Sequence, residues 1–192
     1  DFQKSAAINP LKTSYRESSA FSLYANRVIW LAALLFISVI TTGIISSHTD
    51  ILNSAIALAF FIPLLIGTGG NTGNQSATLM IRALATGDIR EGQWIWAFLR
   101  EIGIGVLLGA TMGVASWLLG LYKGGYQIAL IVSISMVAIV MISSLIGIVL
   151  PLILQKLRID PAVASNPLIA SVMDILGLLT YFFVASIILR SL

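Results

Sequence analysis

The chain has 192 residues, of which 58% are hydrophobic and 10% charged, and its mean hydropathy is +0.98. These values exclude a soluble domain, whose wet surface needs more charge, and indicate an integral membrane protein. The absence of cysteine excludes a disulfide framework and any thiolate metal site, and the net charge of +3 becomes informative only when the charges are placed.

Five apolar stretches are long enough to cross a hydrocarbon core, which takes about 20 residues. They run from about Val28 to Ser46, from Ile51 towards Leu84, from about Ala97 to Leu121, from about Tyr126 to Leu154 and from about Pro161 to Leu189. The predicted fold is therefore all-α, with a five-helix transmembrane domain over residues 27–192. Residues 1–26 form a polar cytoplasmic leader, which lacks the apolar core of a signal peptide.

The distribution of lysine and arginine predicts the orientation of the five spans. Nine of the eleven fall on the side of the amino terminus: Lys4, Lys12, Arg16, Arg27, Arg82, Arg90, Arg100, Lys156 and Arg158. Only Lys123 and Arg190 fall on the other side. Because cytoplasmic loops carry the excess of positive charge, we expect the amino terminus in the cytoplasm and the carboxyl terminus outside.

The third span carries glycines at spacings that include small-xxx-small pairs, among them Gly109 and Gly113. Such spacing favours close packing of two helices over a ligand role.

A polar, glycine-rich stretch, GTGGNTGNQSAT, lies inside the second span, from Gly67 to Thr78. No lysine follows Gly73, so the phosphate-binding loop GxxxxGK[ST] is excluded. Irregular or polar backbone is tolerated at membrane depth only inside protein or beside a watery cavity. The stretch therefore predicts approachable backbone and uncharged oxygens beside a polar path.

Asp174 lies near the centre of the fifth span, where a lone carboxylate costs about 3 kcal/mol. No lysine, arginine or histidine lies at comparable depth, so a cation in transit is one source of counter-charge. The alternative is a protonated Asp174 bonded to a neighbouring helix. Asn166, eight residues earlier, lies about 12 Å away along a continuous helix and about 80° around it, so both side chains can line one water-filled path. The small residues Ala170 and Ser171 lie between them.

Three segments carry a family resemblance: PLLIGTGGNTGNQSATLMIRALATGDI, REIGIGVLLGATMG and RIDPAVASNPLIASVMDILGLLTYF. Together they resemble the transmembrane domain of MgtE-type magnesium channels. The resemblance implies a homodimer in the inner cell membrane, with five transmembrane helices per subunit and an ion pore on the twofold axis. The central pore carboxylate then falls on Asp174, with Asn166 and Asn74 near the inner constriction. Thr78, Val163, Ala170 and Ser171 complete the expected pore lining.

The resemblance also implies cytoplasmic parts that this chain does not contain. Family members usually carry an amino-terminal domain and a pair of CBS domains that sense magnesium, joined to the pore by a plug helix. The first 21 residues resemble the end of that plug region, so we expect a pore without its sensor. Asp1 would be an acidic remnant of the plug and Asp160 its counterpart at the cytoplasmic mouth. Glu101 is a further metal-site candidate, interpreted equally well as a partner of Arg100 or an interfacial charge.

Magnesium suits a pore with few carboxylates, because it dehydrates reluctantly and is usually held by one or two carboxylates and its own waters. Calcium takes six to eight oxygen ligands directly, which is more than these residues offer. We therefore expect a channel for hydrated Mg²⁺, with no catalytic residues, no cofactor beyond the transported ion and no nucleic-acid partner. An ion-coupled magnesium carrier is the alternative. A purely structural subunit leaves Asp174 unexplained, and an intramembrane aspartic protease is disfavoured because no GxGD motif occurs.

Overall fold

The structure is a computed structural model that describes residues 16, 18–90, 92–158, 160–161 and 166–190. Every regular element in these residues is helical, so the predicted all-α class is confirmed. The α-helices are α1 (Ala20–Ser47), α2 (Thr49–Ser54), α3 (Ile62–Thr86), α4 (Trp94–Lys156) and α5 (Asn166–Arg190). A 3₁₀ helix, Ile56–Phe61, leads directly into α3.

Four helical segments in the described residues are long and apolar enough to cross a membrane, and α4 is the longest of them, with 63 residues. A straight helix of that length would measure about 95 Å, three times the thickness of a hydrocarbon core. The helix is interrupted at Gly125, whose φ of 77° and ψ of −172° lie outside the helical region. Glycine adopts this positive φ without the steric cost that a Cβ imposes. The interruption divides α4 into a first arm, residues 94–124, and a second arm, residues 126–156.

The two arms of α4 pack against each other as an antiparallel hairpin. A Cβ built on Gly105 would lie 3.5 Å from Ser144 Cβ, whereas one on Gly120, near the turn, would lie 2.5 Å from Ala129 Cα. The hydroxyl of Ser133 donates to the carbonyl of Gly113 across the same contact, at 2.9 Å. The prediction of close helix packing is therefore confirmed for Gly105, Gly109, Gly113 and Gly120, whereas a Cβ on Gly103 would meet nothing within 4 Å.

The core lies where α3 and the 3₁₀ helix pack against the second arm of α4 and α5. Its largest fully buried side chains include Leu58, Ile131, Met136, Ile169 and Tyr181. The phenol of Tyr181 donates to the carbonyl of Leu58 at 2.9 Å and so ties α5 to the 3₁₀ helix. Helix α1 lies outside this core with no buried residue, although it packs on α5.

Two boundaries differ from those predicted by hydropathy. Helix α1 begins at Ala20, eight residues before Val28, because Ser19 caps it by accepting a hydrogen bond from Ser22 N at 3.2 Å. The proposed division between residues 26 and 27 therefore falls inside a helix. The second span does not run unbroken from Ile51, because Ala55 leaves the helical region at φ −149° and ψ 82°.

Candidate functional site

The glycine-rich stretch is not irregular backbone, because it lies within the continuous helix α3. Three of its four glycines, Gly69, Gly70 and Gly73, face the core, and Gly67 is exposed. A Cβ on Gly70 would lie 3.6 Å from Ala170, and one on Gly73 would lie 2.9 Å from Ile169. The hydroxyl of Ser143, on the second arm of α4, donates to the carbonyl of Gly69. These three glycines thus allow α3 to approach α4 and α5 closely. Thr72 and Ser76 are buried with them, and the remaining polar side chains lie on the other side of the helix.

That opposite face of α3 borders an open cavity of about 650 Å³. We call it the amide-lined cavity, and its lining residues are Asn71, Asn74, Gln75, Thr78 and Leu79 of α3 with Asn166 of α5. The α3 members recur three and four residues apart, which places them on one side of a helix. Four of them, Asn71, Gln75, Thr78 and the apolar Leu79, are exposed. Polar side chains thus cover a membrane-depth surface of this chain.

Asn74 is the member of the cavity whose hydrogen bonding is incomplete. Its side-chain oxygen Oδ1 is buried and has no hydrogen-bond partner among the described residues. Buried polar atoms are seldom left unpaired, since each costs about 1–3 kcal/mol. The amide therefore has an unpaired acceptor beside the cavity, which a rotation of the side chain would present to water or to the hydration shell of an ion.

Asn74, Thr78 and Asn166 are the predicted lining residues that the structure brings together. Sequence reasoning did not select Asn71 and Gln75, although both lie in the glycine-rich stretch. Their helical spacing from Thr78, seven and three residues, was a signal that could have found them.

Asp174 lies on the same helix as Asn166, two turns or about 12 Å deeper. The contacts Gly70 to Ala170 and Leu58 to Tyr181 show that α3 and α5 run antiparallel, which places Asp174 near the level of Ile66, about one residue from Gly67. A Cβ on Gly67 would meet nothing within 4 Å, so the space at that level of α3 is open. Asp174 itself is half-buried and receives no hydrogen bond or ion pair from the described residues.

Asp174 lies nearer to the amino-terminal end of α5, as the structure describes it, than to its carboxyl end. It is the ninth residue of the 25-residue helix α5, about one turn to the amino-terminal side of the helix centre. On the predicted orientation this is the cytoplasmic side. The carboxylate is thus closer to the amide-lined cavity than to the opposite end of the helix.

The remaining predicted lining and mouth residues are placed as follows. Ala170 packs against Gly70, and Ser171 lies on a buried side of α5, at 9% exposure, without lining the cavity. Asp160 is exposed shortly after the end of α4. Asp1 and Val163 lie outside the described residues.

Glu101 lies away from the amide-lined cavity and joins three helical segments. Its Oε1 atom accepts hydrogen bonds from Ser76 of α3, at 2.6 Å, and from Ser144 of the second arm of α4. The neighbouring Arg100 is directed to an aromatic ring, since its guanidinium carbon lies 5.1 Å from the centre of Trp96. A carboxylate held by two hydroxyls at a helix junction has a clear structural role.

No group of three or more histidine, aspartate or glutamate side chains is gathered within the part of the chain that the structure describes. A single copy therefore offers an ion scattered amide and hydroxyl oxygens and isolated carboxylates. This donor set suits an ion that keeps its waters better than one that needs a full cage of protein oxygens.

Comparison with known proteins gives one family. The family model MgtE, described as a divalent cation transporter, matches residues 62–184, which include α3, α4 and most of α5. The chain is 42% identical over 193 residues to the magnesium transporter MgtE of Thermus thermophilus, covering 100% of this chain and 42% of that protein. It is 35% identical to the magnesium transporter MgtE of Bacillus subtilis, with the same coverage.

A third relative, the magnesium transporter MgtE of Enterococcus faecalis, is 32% identical over 183 residues, covering 95% of this chain and 38% of that protein. The chain thus spans about two-fifths of the length of the curated relatives it matches.

Proposed function

The chain belongs to the MgtE family, and from that premise we propose that it moves hydrated Mg²⁺ across the cell membrane through a pore that two copies form together. The observation that carries this proposal is the amide-lined cavity. Its exposed Asn71, Gln75 and Thr78 lie on a helix of membrane-spanning length. Hydrocarbon cannot satisfy such groups, so this face meets protein or water and not lipid.

A homodimer accounts for the shape of this surface. The cavity is open, so a single copy supplies only one wall of a path. A twofold axis beside α3 and α5 would bring the same patch of both subunits face to face, as in any isologous interface. The path between them would be lined by Asn74 and Asn166 from each copy. Two Asp174 carboxylates would then balance the charge of one divalent ion.

Simple electrostatics supports Asp174 as the central site. An ion that keeps its first water shell lies about 4.5 Å from a carboxylate oxygen. This distance combines a metal–water bond of about 2.1 Å with one hydrogen bond from that water to the carboxylate. At an effective dielectric constant of about 20, the gross attraction between one carboxylate and a divalent ion is about 7 kcal/mol. This exceeds the cost of about 3 kcal/mol for placing a carboxylate at membrane depth. An occupying cation therefore supplies the counter-charge that the described residues do not provide to Asp174.

The lining chemistry favours a hydrated ion. Asn74 and Asn166 present carboxamides, which accept hydrogen bonds from coordinated waters without replacing them. The free acceptor on Asn74 is one such group. We propose that Glu101, whose Oε1 is engaged by two serines, supports the helix junction, while Asp160 marks the cytoplasmic mouth.

The test of this proposal is substitution of Asp174 in cells that lack magnesium uptake. Asp174→Asn and Asp174→Ala should both abolish growth rescue at low magnesium while leaving a folded dimer, because each removes the central charge. Asp50→Asn is the matched control, since Asp50 is exposed in the short helix α2 and lies outside the cavity. Normal uptake by the alanine variant would exclude Asp174 as the ion site.

A second experiment tests the hydrated-ion mechanism and the choice of channel over carrier. Cobalt hexaammine, whose fixed ammine ligands imitate hydrated magnesium, should block currents in planar bilayers in a manner that depends on Asp174. Unitary current steps are expected from a channel, whereas flux that requires an imposed proton or sodium gradient would identify a carrier. Block that is equally strong in Asp174→Asn would contradict the assignment of the blocking site.

A further inference from the structure

A second site lies at the end of the α4 hairpin opposite Gly125. Here an apolar groove of about 370 Å³ runs between the two arms, and its lining includes Ile95, Phe98, Val149 and Leu152. Ile95 and Phe98 are exposed, at 74% and 37%. An exposed apolar groove on helices of membrane-spanning length meets acyl chains. The groove is therefore accessible to lipid along its length.

The groove continues into a polar cavity of about 350 Å³, because Trp94 and Lys156 line both. The polar cavity is completed by Gly92, Gln155 and Arg158. Its two charged side chains are thus both cations, and both are exposed. Neither Asp88 nor Asp160, the described carboxylates nearest along the chain, lines either cavity.

Trp94 supplies the observation that separates this site from an ordinary interfacial belt. The indole Nε1 of an interfacial tryptophan normally reaches water or a headgroup. In this structure Trp94 Nε1 is buried and has no acceptor among the described residues, although the ring lines both cavities. Gln155 Oε1 of the same polar lining is likewise buried and unpaired. A rotation of the indole towards the polar cavity would present its donor to a ligand that brings acceptor oxygens.

We propose that this end of the hairpin binds one anionic diacyl phospholipid. Its phosphate accepts from Trp94 Nε1 and pairs with Lys156 and Arg158, while an acyl chain lies in the groove against Val149. The combination commits the site to a lipid, because a free phosphate would leave the groove empty and a neutral lipid would leave the two cations unbalanced. Basic pockets between membrane helices recognise anionic headgroups in this way. The site lies outside the amide-lined cavity and does not depend on how ions cross.

The test is native mass spectrometry of the detergent-purified protein with phosphatidylglycerol or phosphatidylcholine of identical chains. Wild type should retain phosphatidylglycerol in preference to phosphatidylcholine. The double variant Lys156→Gln, Arg158→Gln should lose affinity for phosphatidylglycerol by roughly fivefold for each cation removed. Trp94→Phe, which keeps the ring but removes the donor, and Val149→Phe, which fills the groove, should each weaken retention. Lys123→Gln is the control, because Lys123 is a basic residue near the opposite end of the hairpin.

Several outcomes would overturn the proposal. These are equal retention of the two lipids by wild type, unchanged retention by the double variant, or an equal loss in Lys123→Gln. Inorganic phosphate added at millimolar concentration should not displace the lipid. Displacement by phosphate would show an anion site without lipid specificity and would also reject the proposal. Melting temperatures of all variants, measured in lipid-free detergent, establish that each one is folded.

Discussion

Gly67 offers the sharpest test of the ion path, because the structure separates its effect on folding from its effect on transport. Apart from its own helical turn, no atom lies within 4 Å of its Cβ position, whereas Gly69, Gly70 and Gly73 of the same glycine-rich stretch are in contact with α4 or α5. Gly67 is exposed, so Gly67→Leu adds a side chain whose Cβ meets no other part of the subunit. Leucine is also the better helix former by roughly 0.5–1 kcal/mol. The fold should be unchanged or slightly more stable.

Transport should respond in the opposite direction. Gly67 lies about one residue from the level of Asp174 and, four and seven residues before Asn71 and Asn74, on their side of α3. A leucine side chain there is expected to extend into the space where we place the hydrated ion. An apolar group there can neither coordinate the ion nor accept hydrogen bonds from its waters. We expect magnesium flux to fall at least tenfold, equivalent to about 1.4 kcal/mol added to the barrier.

The assay is magnesium influx into proteoliposomes loaded with a fluorescent magnesium indicator. Gly43→Leu is the matched control, because Gly43 is also a helical glycine with nothing within 4 Å of its Cβ but lies in α1, away from the cavity. Cross-linking confirms that each variant is dimeric, and thermal melting confirms that it is folded. Wild-type flux through a folded, dimeric Gly67→Leu protein would refute the path between α3 and α5.

Four further predictions follow from the packing. Glu101→Gln keeps a carbonyl acceptor for the two serines and should retain magnesium uptake. Glu101→Ala should lower the melting temperature, by an amount that reflects about 1–3 kcal/mol for each unpaired hydroxyl. Loss of uptake in a stable Glu101→Gln protein would instead mean that the charge of Glu101 acts on the ion. Gly147→Ala would place a Cβ 2.5 Å from the carbonyl oxygen of Gly73 and should destabilise the fold by about 1–3 kcal/mol in thermal melting. Gly103→Ala is the control and should not destabilise the fold, because Gly103 lies on the same helix and its Cβ position is open. Tyr181→Phe removes the donor to the Leu58 carbonyl and should cost about 1 kcal/mol in denaturant titrations, a result that an unchanged midpoint would contradict. Asn166→Asp adds one negative charge per subunit beside the cavity and should strengthen cation binding while weakening the preference for magnesium over calcium, measured as competition in the influx assay.

The helix junction at Glu101 illustrates a limit of reading the sequence. Its position near the inner end of a span made a metal site, an ion pair and an interfacial charge equally reasonable. The two serines that donate to it are 25 and 43 residues away in the chain, on two other helical segments. No local pattern reports contacts of that separation, so this environment became visible only with the packing of α3 against both arms of α4.

Composition and hydropathy alone determined that this is a helical membrane protein, because backbone groups in hydrocarbon must be satisfied within each segment. The spacing of glycines in the third span likewise predicted its packing, since the small residues lie on one face of the helix whatever surrounds it. Only the tertiary structure decided which face of α3 is buried. Helical periodicity fixes the angle between Gly70 and Asn71 but not the direction in which either points, and that direction follows from the contact of Gly70 with Ala170. That contact turns the glycines towards the core and leaves Asn71, Gln75 and Thr78 on the open side.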